Sequence, residues 1–255
     1  MTRSLWSVHT GALTKLVPAP AAGRVFRQPG RVGLADCSPS GRARLDAVAR
    51  WIQDVAYADV DDAGVADRAV WVVRRTRLRV ERFPRFGERF EAATFCSGLG
   101  RMWAERRTTI TGVGDGEGDV EAVTLWVHLH PEGRRPFPLT RDELAVYGEA
   151  AGERRVTARL RHPASPPDGG GRSFGWTFRE TECDLAAHIN NAAYWEPLEE
   201  ELLGTEEPGR IDVEMEFRAP AQPGQKLVLC AGERRWIVDP DGETHASLVI
   251  SSLER

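Results

Sequence analysis

Residues 183–195 read Cys-Asp-Leu-Ala-Ala-His-Ile-Asn-Asn-Ala-Ala-Tyr-Trp. They set a carboxylate, Asp184, four residues ahead of an imidazole, His188, and then the paired amides Asn190 and Asn191. This is the composition of a helix start. The helix would continue through Tyr194, Leu198, Leu202 and Leu203, with Glu199, Glu200 and Glu201 mostly facing water. Asn190 or Asn191 can cap it by accepting hydrogen bonds from its first N–H groups. Its tip offers unpaired amides and a partial positive charge. A carboxylate beside those amides is equipped for acyl transfer: the base activates water and the amides hold the developing oxyanion. The same residue types can equally do no more than cap a helix. Cys183 has no basic partner nearby and reads as a packed side chain rather than a nucleophile.

The rest of the composition narrows the setting. A chain of 255 residues makes one large domain or two of ordinary size. Its 41% hydrophobic and 28% charged residues are those of a soluble globular protein. A net charge of −4 argues against nucleic acid as a partner, and the many arginines are interspersed with Asp and Glu. No run of about 18 apolar residues suggests a membrane span, and the N-terminus lacks the apolar core of a signal peptide. Cys37, Cys96, Cys183 and Cys230 are far apart without metal-ligand spacing, which suits reduced thiols in the cytoplasm. His128 and His130 share a strand face, but no third ligand accompanies them, so no metal is expected. The glycines near 168–171 lack the strand–turn–helix context of a phosphate loop. No cofactor is implied.

The elements that must hold residues 184–191 occur twice. In the first part, residues 1–24 are irregular, 26–34 suit a strand, 36–41 a turn and 42–58 a helix. That helix carries an apolar stripe of Leu45, Val48, Ile52 and Val55. A period of two then takes over in strands at 71–80, 89–97, 102–111 and 120–130, with a hairpin tip at 112–119. A short helix at 142–148 and a Pro- and Gly-rich connection at 164–171 follow. The second part repeats the order: a strand at 174–179, the 183–195 motif with its helix, and strands at 211–217, 226–232, 234–238 and 244–251. Pro197 would disturb that helix unless it is offset or kinked. Glu214 and Glu216 alternate to the solvent side of their strand. This reads as a duplicated α+β unit, 1–148 and 149–255, each an antiparallel sheet with one helix. Laying the helices together sets Asp36 against Asp184 and Ser40 against His188, so the first copy lacks the His and the paired Asn.

The motif Asp184-x-x-x-His188-Ile189-Asn190-Asn191-x-x-Tyr194 resembles the signature of hot-dog thioesterases. The whole chain resembles the plant-type acyl-ACP thioesterase family. Residues 80–88, Val-Glu-Arg-Phe-Pro-Arg-Phe-Gly-Glu, resemble its first-half turn, and Glu216-Phe217-Arg218 the strand after its catalytic helix. The resemblance implies a double hot dog, two antiparallel sheets each wrapping a central helix. It implies hydrolysis of fatty acyl thioesters of acyl carrier protein or of coenzyme A. It assigns catalysis to Asp184 and His188, with Asp184 as base or nucleophile. Amides about His188 and Ile189 would hold the oxyanion, and Asn190 or Asn191 would cap the helix. The first copy would serve as scaffold and acyl pocket. Two positions depart from the family: Ala186 stands where Asn is common, and Pro220 falls where a catalytic Glu is expected. A non-catalytic module binding acyl chains or carrier protein is the alternative; a hydratase is disfavoured by the Asp–His spacing. An acidic carrier needs a basic surface, for which Arg74, Arg75, Arg77, Arg79, Arg106, Arg107, Arg154, Arg155, Arg234 and Arg235 are the pool. Whether two chains form a homodimer is left open by the sequence.

Overall fold

A computed structural model describes residues 13–113, 118–132, 135–166 and 171–254. The tip of the 112–119 hairpin, the start of the 1–24 segment and the centre of the 164–171 connection lie outside them. The period-two segments become strands and the apolar stripe becomes a helix. The first copy comprises β1 (Phe26–Arg31), α1 (Leu45–Asp62), β2 (Val70–Val80), β3 (Arg89–Leu99), β4 (Trp103–Gly112) and β5 (Gly118–Leu129). A further helix, α2 (Arg141–Ala151), follows it. The second copy comprises β6 (Arg172–Phe178), α3 (Glu196–Leu203), β7 (Arg210–Phe217), β8 (Gly224–Ala231), β9 (Arg234–Val238) and β10 (Thr244–Glu254). No helix among the described residues is long and apolar enough to cross a membrane.

The two expected sheets are halves of one ten-stranded antiparallel sheet, in the order β1-β3-β4-β5-β2-β7-β10-β9-β8-β6. They meet where β2 pairs with β7, Leu78 opposite Val213 and Thr76 opposite Met215. An open strand edge presents unpaired N–H and C=O groups. Duplication gives each copy's edge the other copy's edge to pair with.

Alternation along this seam sorts its residues between two faces. Leu78, Val80, Ile211, Val213, Met215 and Phe217 are buried in one apolar core with Leu45, Val48, Ile52 and Val55 of α1 and Leu198 and Leu202 of α3. The opposite face carries Arg75, Arg77, Asp212, Glu214 and Glu216. These charges were expected in water, yet Arg75, Glu214 and Glu216 are 4%, 1% and 0% exposed. The reason is that two irregular segments cross them. Glu214 accepts the Thr14 amide at 2.7 Å, and Glu216 accepts the amides of Arg161 and His162 at 2.8 and 2.9 Å. Arg75 and Arg77 complete the pairing with Glu216 and Asp212. Burial tends to raise the Glu214 carboxyl, but its hydrogen bonds to His162 and Thr14 and the Arg161 charge bring it down to about 2.

Magnitudes divide the labour between these faces. Each buried aliphatic side chain is worth about 1.5–3 kcal/mol, while buried ion pairs roughly break even against their desolvation. The apolar face therefore supplies stability. The charged face supplies register, because a one-residue slip would turn the row of carboxylates into the core.

Helix limits moved for local reasons. α1 starts at Leu45 rather than at 42, because Arg42 and Ala43 are still engaged in bridges with Arg85 and Cys37. The motif helix is offset: a 3-10 turn, Ala193–Trp195, precedes α3, and Pro197 falls in the first turn of α3, where its missing N–H costs nothing. Glu199, expected in water, is 2% exposed. Among the Arg pool, Arg75, Arg106, Arg107 and Arg235 are buried and offer no docking surface.

α2 is longer than expected and packs against β3. It is anchored by Glu143, whose Oε1 lies 3.0 Å from Nε2 of the fully buried His128. The Nδ1 of His128 is 2.7 Å from the Phe137 carbonyl. Burial works against the charged imidazole, but Glu143 and the Phe137 carbonyl outweigh it and lift His128 above its ordinary 6.5. Burial likewise opposes the Glu143 carboxylate, and His128 and Thr140 pull it below its ordinary 4.5. The His128 contribution is complete below pH 6.5 and lost as pH climbs through the raised value; the Glu143 contribution is present above pH 4.5 and lost as pH falls through the lowered one. His128→Gln should therefore cost most, about 1–3 kcal/mol, between pH 4.5 and 6.5, and progressively less above pH 7. Thermal melts of both proteins across pH test this; a pH-independent difference would refute it.

Candidate active site

The motif forms a tight turn on a two-residue stem. Cys183 and Ile189 bridge its base. The Asp184 N–H donates to the His188 carbonyl and the Ala187 N–H to the Asp184 carbonyl, both at 2.9 Å. The Asp184 side chain bends back, its Oδ1 accepting the Ala186 N–H at 2.8 Å, as short acidic side chains do in turns. Closing the loop drives Ala187 to φ +58°, a left-handed conformation that favours glycine.

Neighbouring segments fix this turn laterally. The Ile189 N–H donates to the Ala221 carbonyl at 3.0 Å and the Asn190 N–H to the Glu182 carbonyl at 2.8 Å. The Ala221 N–H donates to the hydroxyl of buried Tyr194 at 2.9 Å. The strand-end segment holding Pro220 is thus stitched beside His188–Ile189, where the family pattern calls for a carboxylate; Pro220 itself is exposed.

Several expectations change here. Asp184 does not lie against the tip of an α-helix: α3 begins at Glu196, and Asp184 is exposed, with the fully exposed Leu185 beside it. Asn190 caps the 3-10 turn, its Oδ1 accepting the Ala192 N–H at 2.8 Å, and Asn191 caps no helix among the described residues. The amides of Ile189 and Asn190 are both spent on carbonyls, so neither can hold an oxyanion. The extended stem needs those bonds, because it runs between two other segments. The amides of His188 and Asn191 have no acceptor among the described residues. His188 is half-buried. The Cys183 thiol is pushed up, by partial burial and then by Glu180, Asp184 and Glu182, which leaves it a poor nucleophile.

The first copy repeats the turn bond for bond. Cys37 bridges Ala43; the Ser38 N–H donates to the Arg42 carbonyl, Gly41 to Ser38, Ala43 to Pro84 and Arg44 to Asp36. Gly41, at φ +84°, occupies the place of Ala187. The register therefore sets Ser38 against Asp184 and Arg42 against His188, not Asp36 and Ser40 as the sequence alignment of the helices suggested. This copy is closed. Arg42, 3% exposed, is paired with Glu199 at 2.7 Å and Glu207 at 2.6 Å, and Glu207 also accepts from Ser38 and Ser40.

In the second copy the space beside the turn faces α1 of the first. Tyr57 of α1 lies within electrostatic reach of the turn: its hydroxyl is raised first by burial and then by the Asp184 charge. Sequence reading missed Tyr57, whose only signal was an aromatic on the polar side of an amphipathic helix. Tyr57 also lines a cavity of about 40 Å³ between α1 and the first half-sheet, with Ala56, Val60, Trp71, Trp126 and Tyr147. A second cleft, of about 200 Å³, holds Trp176, Arg179, Glu182 and Glu196. Burial, then the charges of Glu182 and Asp46, push Glu196 up to about 7.

The strain at Ala187 is testable. The left-handed conformation costs a non-glycine residue about 1–2 kcal/mol, and glycine returns about 0.5–1 kcal/mol of that as chain entropy. Ala187→Gly should leave the melting temperature unchanged or raise it, whereas Ala187→Val should lower stability by more than about 1 kcal/mol. A clearly destabilised Ala187→Gly protein would contradict the turn geometry.

With the geometry described, comparison with known proteins is informative. The family model for the acyl-ACP thioesterase N-terminal domain matches residues 23–147. The uncharacterized protein Rv2001 of Mycobacterium tuberculosis is 27% identical over 218 residues, covering 84% of this chain and 85% of that one. The chloroplastic acyl-acyl-carrier-protein hydrolase FATB2 of Cuphea viscosissima is 25% identical over 245 residues, covering 88% of this chain; this chain spans only 58% of that protein. Among solved structures, the 12:0-ACP thioesterase from Umbellularia californica shares the fold with a TM-score of 0.71 at 19% identity, over 95% of this chain and 100% of that one.

Proposed function

The chain belongs to the acyl-ACP thioesterase family and is a thioesterase by that membership, and from this premise we propose that it hydrolyses fatty acyl thioesters carried on acyl carrier protein or coenzyme A. Asp184 is the base or nucleophile of this reaction. As base, it takes a proton from a water that attacks the thioester carbonyl; collapse of the tetrahedral oxyanion expels the thiolate, which is protonated, and leaves the free fatty acid. One oxygen of Asp184 accepts the Ala186 amide, which leaves the other to take the proton of the attacking water. His188 orients the thioester or Asp184. The His188 and Asn191 amides hold the oxyanion, since they are the ones left open where Ile189 and Asn190 are not.

The observation that carries this reading is the contrast between the copies. The first turn is filled by Arg42 and two carboxylates; the second has a carboxylate and an imidazole in the same frame and is open to substrate. The apolar cavity lined by Tyr57 is built entirely from the first copy and α2, which fits the first copy as the acyl pocket. Four free cysteines fit a reducing compartment such as the cytoplasm. The exposure of Asp184, with Ala186 and Pro220 replacing family polar groups, favours the second reading, a module that binds acyl chains or carrier protein without turnover.

Free-thiol release from a panel of acyl-ACP and acyl-CoA substrates separates the two. Asp184→Asn should lower turnover by at least about a hundredfold without loss of fold, because the amide oxygen can still accept from Ala186. Near-normal hydrolysis by that variant removes Asp184 from the mechanism, and saturable acyl binding with no thiol release by the wild type establishes the binding module instead.

A further inference from the structure

The two copies differ in what the opposite helix brings to the turn. In the first copy Glu199 of α3 reaches across: Oε1 accepts from Arg42 at 2.7 Å and Oε2 from the Leu45 N–H at 3.0 Å. The register pairing Arg42 with His188 and Arg44 with Asn190 continues to pair Leu45 with Asn191, and Gln53 of α1 with Glu199 of α3. A pseudo-two-fold between β2 and β7 exchanges the roles. If α3 presents Glu199 to Arg42 and Leu45, then α1 presents Gln53 to His188 and Asn191.

The face of α1 is marked independently. Tyr57 lies one turn beyond Gln53 on the same side of the helix and feels the charge of Asp184. Asp46, two turns before Gln53, acts on Glu196 of α3. Gln53 thus sits between two points at which α1 faces the second copy. The bonding also differs. Glu199 and the Leu45 amide are joined to each other. The Gln53 carboxamide, half-buried, and the Asn191 amide have no hydrogen-bond partner among the described residues.

We propose that Gln53 is a catalytic residue of the second copy's site, its carboxamide NH₂ donating, beside the Asn191 amide, to the thioester carbonyl oxygen as negative charge develops there. This rests on the hydrolase reading above. The residue types follow from the chemistry. In the closed copy a carboxylate neutralises Arg42. In the open copy a carboxylate at position 53 would repel an oxyanion and oppose ionisation of Asp184, whereas a neutral amide donates without adding charge. It also supplies a donor in a chain that carries Ala186 in place of the family's Asn.

Two substitutions at this position, assayed for thiol release beside the wild type and Asp184→Asn, test the role. Gln53→Glu keeps the shape and the acceptor that Glu199 uses toward Leu45, but loses the donor. It should retain the wild-type melting temperature and lose about a hundredfold or more in kcat, with a smaller change in KM. Gln53→Ala should lose a similar factor. If Gln53→Glu turns over normally while Gln53→Ala does not, Gln53 merely braces the turn and the proposal fails. If both turn over normally while Asp184→Asn is inactive, the proposal fails and the hydrolase reading stands. If the wild type releases no thiol from any substrate, the hydrolase reading fails and takes this role with it.

Discussion

The pairing of β2 with β7 is the constraint on which the rest of the molecule depends. It turns two half-sheets into one and thereby sets the two central helices side by side on a common face. Without it, α1 and the turn at 183–189 would belong to separate bodies. With it, Tyr57 comes within electrostatic reach of Asp184, and Glu199 reaches the start of α1. The seam is held in register by charges on its other face, where Arg75, Arg77, Asp212, Glu214 and Glu216 neutralise one another beneath the segments at Thr14 and 159–163. Those charges add little net stability, but they make every other register costly.

Duplication within one chain frees the two copies to diverge. A homodimer of single units would present two identical sites. Here the same turn is closed by ion pairs in one copy, and in the other it is the site proposed for the chemistry. In the first copy Ser38, Ser40 and Arg42 are closed by Glu199 and Glu207, and Glu199 also caps α1 by accepting the Leu45 amide. Removing that carboxylate would leave the buried Arg42 guanidinium with Glu207 as its one carboxylate partner among the described residues and strip the Leu45 amide of its acceptor. In the second copy Asp184 is solvent-exposed and the groups around it keep free valences. A thioester site must leave room for substrate and cannot satisfy its own polar groups internally. Among the described residues the Gln53 carboxamide and the Asn191 amide have no hydrogen-bond partner, which fits the proposed site.

Much of the fold was legible in the sequence because its cause is local. Alternation along 71–80 and 211–217 and the apolar stripe of Leu45, Val48, Ile52 and Val55 depend on side-chain period alone. The motif at Asp184–Tyr194 was legible for the same reason: residue type and spacing are written in the chain. Where the reading went astray, the deciding partner was distant. Glu214 and Glu216 alternate as solvent-facing residues do, and only the crossing of Thr14, Arg161 and His162 buries them. Asn190 has the composition of an α-helix cap, yet the stem it closes is held by Ala221 and Glu182, which displace the helix to Glu196.

The amino-acid sequence by itself determined the duplicated α+β architecture and the carboxylate–imidazole pair, because periodicity and motif are properties of neighbours along the chain. Tertiary structure alone decided which amides remain free, which copy is closed, and which residues of α1 face the turn. Those outcomes hinge on hydrogen bonds and ion pairs between separate segments of the chain, from Ile189 with Ala221 to Arg42 with Glu199. No local pattern encodes such partners, since each is chosen by the packing of the two helices on one shared sheet.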